Sequence, residues 1–584
     1  MNETNRNMIL AIGLSVVVIF GWQFFIAGPQ MERAQRQAQI AAEQAAAANP
    51  GLATTTTTTT APVAPGAATT PAEAVPAGVP STFADRASAI AATSRVAIDT
   101  PALIGSINLR GGRLDDLQLK KYTETIAEDS PIITLLTPSG APNAYYVEQG
   151  WAAASGTTQV PDATTVWTLE GTGTLTPSTP VVLRWDNGAG LVFHRSFVID
   201  ANYLFTVTQS IENKSGSDVA LFPYSRIVRE GTPHVSNFFV QHEGPLGVLG
   251  SNNLVSKKYS DMQNDKQIRL DNTKGWLGFG DKYWATAVIA DPAQSINAQF
   301  TYFRSNNRDE YQTSFVETNA IVVANGATAE DHSYVFAGAK EEAVIASYES
   351  ALKVDRLELL IDWGWLHFIT KPMFYLLRFL YGILGNFGLA MLAVTVIVKA
   401  IFFPLANRSF ASMAAMRRVQ PEMKALQERF KDDRAAQQQA MMELYKREKI
   451  NPLSGCWPIL PQIPVFFALY TVIFISLDMR HAPFFGWIQD LAAQDPTNVF
   501  TLFGLIPWTP TALPIIGGLL HMGIWPLIMG VTMWVQMRLN PPPPDPTQAM
   551  IFNWMPVIFT FMLGTFPAGL VIYWSWNNFL SICQ

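Results

Sequence analysis

Apolar residues are gathered into long unbroken blocks near the two ends of this chain and into short alternating runs between them. Residues 8–27 form an uncharged run of twenty residues behind a short polar head that contains Arg6. The run exceeds the apolar region of a cleaved signal and no clean small-x-small site follows, so it reads as an uncleaved membrane anchor. Residues 385–408, GNFGLAMLAVTVIVKAIFFPLANR, are again long enough to cross a hydrocarbon layer of ~30 Å at ~1.5 Å per residue. Further apolar stretches at 457–477, 515–537, 550–566 and from 570 onward bring the predicted spans to six.

Between these blocks the period changes three times. Residues 28–84 are rich in Gln, Ala, Thr and Pro, with threonine at every position from 54 to 60. Such a tract buries too little apolar surface to offset its ordering entropy, so a mobile tether is predicted. From 85 to 345, short alternating runs are separated by Gly, Asn, Asp and Pro. VVLRW from Val181 and LVFHRSFVI from Leu191 flank DNGAG as a hairpin, and YLFTVTQSI from Tyr203, YWATAVIA from Tyr283, AQFTYFR from Ala298 and AIVVANG from Ala320 are further strands. Together they predict one large antiparallel sandwich. Residues 346–384 turn helical, and their mixture of Trp363, Trp365, Phe368, Phe374 and Tyr375 with Lys371 and Arg378 fits helices lying in a membrane interface.

The last block, 385–584, contains a polar hairpin at 407–451 with ten Lys or Arg against six Asp or Glu. Met416, Val419, Met423, Leu426 and Phe430 recur at spacings of three and four, and Ala440, Met441, Leu444 and Tyr445 mark a second arm after the turn at Lys431 to Arg434. The two arms should pair antiparallel, with a kink at Pro421. An excess of Lys and Arg places this hairpin in the cytoplasm, so both termini are predicted inside and the sandwich outside.

Charge sharpens one point. Lys399 is the only charged residue in its span before Arg408, nine residues deeper, or ~13 Å along the axis. An extended lysine covers about half that depth by snorkelling. Its ammonium is therefore expected in a polar, water-reached cavity between helices, with Thr395 one turn earlier on the same face.

Composition excludes other classes. A formal charge of -6 gives no case for nucleic acid as a partner. The two cysteines, Cys456 and Cys583, suit neither a disulfide framework nor a zinc site, and His194, His234, His242 and His332 lack metal-ligand spacing. No HExxH, nucleophile elbow, Walker A pattern or intramembrane Asp pair occurs, and His521 and Ser476 fall on separate spans, so no enzyme, cofactor or metal is expected.

Several segments resemble the YidC family of bacterial membrane protein insertases, in its long Gram-negative form. They are NPLSGCWPILPQIPVFFALY from Asn451, PFFGWIQDLAAQDP from Pro483, MPVIFTFMLGTFPAGLVIYW from Met555, INLRGGRLDDL from Ile107 and the IDWGWL run from Ile361. The resemblance covers the chain from about residue 100 onward. It implies an α-helical polytopic inner-membrane protein with six transmembrane helices and a large all-β periplasmic super-sandwich domain. Five core spans would enclose a groove open to the cytoplasm and the lipid. IVKAIFFPL from Ile397 matches the motif of the family's groove cation, usually an arginine, so Lys399 keeps the charge and loses the bidentate fork. The sequence stops at Gln584, inside the sixth predicted span and without the family's basic tail, so a longer native chain is expected and contacts through that tail are not assumed.

The implied activity is insertion and folding of integral membrane proteins, alone or with the Sec translocon and its accessory subunits. Lys399, Thr395, Gln462 and Asn553 are the expected groove residues, and Ile463, Phe467, Val557 and Phe561 the expected exit path for apolar segments between the third and fifth spans. Expected partners are nascent membrane proteins, the Sec translocon, membrane lipid, and the ribosome through the hairpin. A secondary transporter with a periplasmic sensing domain is the competing reading, since it too would place an ionisable residue in a wet span. Against it stand the absence of an evident inverted repeat and the length of the basic hairpin.

Overall fold

The computed structural model describes residues 83–584 apart from 172, 234–241, 251–252, 306, 431–432, 449–458, 507–519 and 540–545. The predicted anchor, almost all of the tether, His234, Cys456 and the proline-rich turn after Arg538 lie outside the described residues.

Residues 95–339 form two antiparallel sheets of ten and nine strands among the described residues. Alternation dictates the pairing of faces. In Leu191–Ile199 and Leu204–Asn213 every second residue is buried, so each strand turns one mainly apolar row to the interior, which also holds Arg195, Gln209 and Asn213, and the other row outward. The hairpin of Val181–Asp186 with Leu191–Ile199 forms as its sequence predicts. Its turn depends on Gly190, whose φ is +87° and whose added Cβ would stand 2.6 Å from the Lys214 carbonyl oxygen. Two short helices, α1 (Arg86–Ala91) and α2 (Tyr259–Asp265), flank the sheets.

The middle strands of the larger sheet, Tyr145–Ala153, Val219–Glu230 and Arg308–Glu317, are buried along most of their length yet carry polar residues. Glu148 accepts hydrogen bonds from Arg113 Nε at 2.6 Å, Arg226 Nη2 at 2.6 Å and the Tyr224 hydroxyl at 3.0 Å. Burial by itself would raise this carboxyl, but the two guanidiniums outweigh it and hold it down at about 2.

Beyond the sandwich come α3 (Glu342–Leu352), a 3-10 turn at Leu357–Leu360 and α4 (His367–Leu384), which ends at Gly385 in the left-handed region with φ 68°. Asn386 then caps α5 (Phe387–Arg429), a 43-residue helix that contains Pro404 and Pro421. The predicted span and the first arm of the polar hairpin are thus one continuous helix. The second arm, α6 (Arg434–Arg447), lies on it through Val419, Met423 and Leu444, with Met416, Leu426, Met441 and Tyr445 at the edges. The remaining helices are α7 (Ile459–Ile475), α8 (Ile524–Leu539), α9 (Pro546–Leu563) and α10 (Ala568–Cys583). Among the described residues α5 alone is long and apolar enough to cross a membrane by itself, with shorter apolar stretches at Pro461–Ile475 and Ala549–Leu563.

One hydrophobic cluster runs from the sandwich interior through Trp363 and Phe374 into α5, α7 and α10. Cations on both sides reinforce that joint. Lys282 Nζ lies 3.6 Å from the Phe474 ring centroid, and the Arg480 guanidinium, stacked 5.4 Å from Trp284, donates to the carbonyls of Thr123 and Glu124.

Glu230 and Glu310 face each other across neighbouring strands. Burial raises both carboxyls to about 7; Arg308, 3.8 Å from Glu230, offsets part of this, while Glu230 raises Glu310 further. The folded state therefore prefers both protonated, whereas in the unfolded chain they ionise near 4.5. Stability contributed by the protonated pair is lost as the pH rises from that value to about 7. Glu230→Gln is expected to stabilise the sandwich by about 1 kcal/mol at pH ~8, after allowance for solvent screening, and to have no effect at pH ~4. Thermal unfolding followed by circular dichroism of the β structure checks this.

Candidate functional site

A cavity of about 170 Å³ lies among α5, α7, α8 and α10. Helical periodicity selects its lining. Thr395, Lys399, Phe402, Ala406 and Ser409 follow one face of α5 at steps of four and three, Gln462, Val465 and Leu469 one face of α7, and Tyr573, Asn577 and Ser581 one face of α10, with Gln536 added by α8. Among the described residues no Asp or Glu lines it.

Lys399 is half-buried, and its ammonium donates to Ser581 Oγ. The Ser581 hydroxyl gives its own proton to the Asn577 carbonyl at 2.9 Å, which turns a lone pair toward the cation. Thr395 is buried and likewise donates to a carbonyl on its own helix, that of Met391, at 2.8 Å. An ammonium has three protons to donate. Among the described residues one of them meets a neutral hydroxyl and none meets a carboxylate. The cavity has room for several waters, and its polar wall gives them partners.

Of the residues expected from sequence, the structure brings Lys399, Thr395 and Gln462 together in this cavity. Asn553 is exposed on α9 and is not among the lining residues. Ile463, Phe467 and Val557 are 45%, 42% and 44% exposed, and Phe561 is half-buried, so an apolar strip is left open on α7 and on α9. Sequence reasoning missed Ser409, Gln536, Asn577 and Ser581. The four-residue step from Tyr573 to Asn577 to Ser581 was the available signal, but nothing in the sequence says which face of α10 meets α5.

The end of the helical bundle nearest the start of α5 is laced by hydrogen bonds between its loops. Asn386 Nδ2 donates to the Pro483 and Phe484 carbonyls, each at 3.3 Å, and the loop that follows α7 meets the turn between α9 and α10 through Ala568 N to Ala493 O at 2.7 Å and Gly569 N to Leu491 O at 3.0 Å. Asp495 anchors this loop from within. It is 1% exposed and accepts from Trp487 Nε1, Thr497 Oγ1 and the Trp525 amide. The cavity lies farther along α5, toward the polar hairpin.

Two family models match the chain. The one described as YidC periplasmic domain covers residues 95–376, and the one described as 60Kd inner membrane protein covers residues 379–584, so the division between them falls inside α4. A "Membrane protein insertase YidC" of Mesorhizobium japonicum is 53% identical over 591 residues, covering 100% of this chain and 95% of the relative. Proteins of the same name from Beijerinckia indica subsp. indica and Rhizobium meliloti are 51% and 50% identical, with the same coverage of each chain. A solved structure described as "Active YidC insertase crystal structure with the first transmembrane domain resolved" aligns over 87% of this chain and 94% of that chain, at 17% identity and a TM-score of 0.37.

If water fills the cavity, a cysteine placed at its wall will react with a water-soluble maleimide while the protein is in sealed membranes. With Cys456 and Cys583 replaced by Ser, Gln536→Cys is expected to label, and Ala390→Cys, at a position 0% exposed, to remain unlabelled. Equal silence at both positions would mean a dry cavity.

Proposed function

The chain belongs to the YidC family of membrane protein insertases, and from that premise we propose that its helical part inserts nascent membrane proteins by way of the cavity around Lys399. The observation that carries this reading is the half-buried ammonium, which among the described residues has one neutral partner, in a polar cavity between helices. Insertion requires no covalent chemistry. Its barrier is physical: drawing unsatisfied backbone and charged groups through hydrocarbon costs several kcal/mol per group.

A wet notch partway through the membrane shortens the dry part of that path. Lys399 then attracts acidic residues in the flank being translocated, because its unused donors form charge-assisted hydrogen bonds with a carboxylate. Thr395, Gln462, Asn577 and Ser581 hold the water that keeps the flank solvated, with Asn553 at the approach. The apolar segment of the client leaves past Ile463, Phe467, Val557 and Phe561, whose exposure leaves them free to meet it. Six spans with both termini in the cytoplasm place the sandwich in the periplasm and the hairpin of α5 and α6 where a ribosome would approach. The Sec translocon is the proposed partner for clients with large translocated domains.

Two outcomes are expected. In liposomes, the purified chain should insert a short phage-coat-like client without ATP, as read by protease protection; solute flux without client insertion would point to a transporter instead. Lys399→Ala should slow clients with acidic translocated flanks roughly tenfold, the loss of one charge-assisted hydrogen bond. It should affect neutral flanks little, and Lys399→Arg should retain activity. Equal defects for both kinds of client would remove charge attraction from the mechanism.

A further inference from the structure

A second cavity, of about 320 Å³, lies where the edge of the smaller sheet, strands Leu254–Ser256 and Gly244–Leu249, meets the segment that leads into α4. Its wall carries charges of both signs: Arg356 and Lys371 on one hand, Glu358 and Asp362 on the other, with His242 and His367 beside them. Lys371 donates to Glu358, and Asp362 accepts from the backbone amides of His242 at 2.7 Å and Gly364 at 3.0 Å. Among the described residues the half-buried Arg356 guanidinium has no side-chain partner. Arg356 also sits in the left-handed region, with φ 54°, a conformation unfavourable for a residue with a Cβ.

The position of this cavity relative to α4 indicates what fills it. At about 100° per residue, the buried positions Thr370, Met373 and Leu377 share one face of the helix. The opposite face carries Phe368, Tyr375, Phe379 and Ile383, which are 64%, 51%, 65% and 65% exposed among the described residues, with the Tyr375 hydroxyl donating to Glu342. His367 and Lys371 lie between these faces, at the margin of the apolar strip. A helix with an apolar outer face and a charged margin lies along the boundary of a bilayer, with the margin at headgroup level. An isolated phosphate entering the cavity would meet two carboxylates as well as two cations. A headgroup that joins a phosphate to a primary ammonium matches both signs.

We propose that this cavity binds the headgroup of a phosphatidylethanolamine-type phospholipid, with its phosphate on Arg356 and Lys371, its ammonium against Glu358 and Asp362, and its acyl chains along the exposed face of α4. The inference rests on the membrane location of the chain but not on the cavity at Lys399. A bound lipid would pin the sandwich and α4 to the membrane surface at a fixed height.

The test uses the full chain in detergent micelles, titrated with short-chain phosphatidylethanolamine, short-chain phosphatidylglycerol or inorganic phosphate and read by native mass spectrometry. Phosphatidylethanolamine should bind roughly tenfold more tightly than the other two, as expected for one additional charge-assisted hydrogen bond. Arg356→Gly should weaken it by a similar factor while leaving thermal stability unchanged or higher, because glycine accepts the left-handed backbone. Glu358→Gln should weaken phosphatidylethanolamine and spare phosphatidylglycerol. Equal binding of all three probes, or undiminished binding by both variants, overturns the proposal. Lys399→Ala should bind the lipid normally, so failure of the insertion mechanism and failure of this site give different results.

Discussion

A cation placed partway along an apolar helix must be solvated by something, and the helical part of this protein is arranged around that requirement. An ammonium without partners in hydrocarbon is costly enough to lose its charge or to draw water in after it. Here the neighbouring helices turn hydroxyl and amide groups toward Lys399 rather than a carboxylate. In the function proposed for this cavity, a fixed counter-ion would neutralise the site and leave nothing for a passing client. A neutral hydroxyl lets the charge persist while leaving it only partly satisfied. Transient attraction needs that balance, since a partner bound too well would not be released.

The same cavity has to be closed toward one side if it is not to leak. In the proposed function that task falls to the backbone hydrogen bonds and the buried aspartate at the end of the bundle nearest the start of α5. Asp495 gathers Trp487, Thr497 and Trp525, and the loop it fixes is tied to the α9–α10 turn by the Ala568 and Gly569 amides. The loop is also tied to the sandwich, through Arg480 and its contacts with Thr123, Glu124 and Trp284. The β domain therefore buttresses the closed end of the bundle instead of hanging from a linker. The continuous hydrophobic cluster that joins the two parts has the same effect.

At the other end the construction is different. α5 runs on past its apolar stretch into the polar hairpin as one rod, joined to α6 by a short seam of Val419, Met423 and Leu444. Methionine-rich seams tolerate repacking. The hairpin accordingly has few buried contacts of its own beside the rigid closed end.

The pattern of apolar and polar positions alone determined the partition into a β-sandwich and a helical part with apolar stretches, because periods of two and 3.6 reflect local backbone geometry that each segment carries with it. It also determined that Lys399 was out of place, because a lone charge in an apolar run needs no tertiary information to be recognised. Which residues surround that charge was decided only by tertiary structure. Ser581 and Asn577 lie more than 170 positions from Lys399 and become its neighbours through the rotation of α10 against α5, which interhelical packing sets and no local signal encodes. Asn553 was an equally polar candidate on an equally apolar helix, and the same packing leaves it exposed and outside the cavity lining. The mixed-charge cavity at Arg356 likewise exists only because a sheet edge and a helix start, distant in sequence, are held together by the fold.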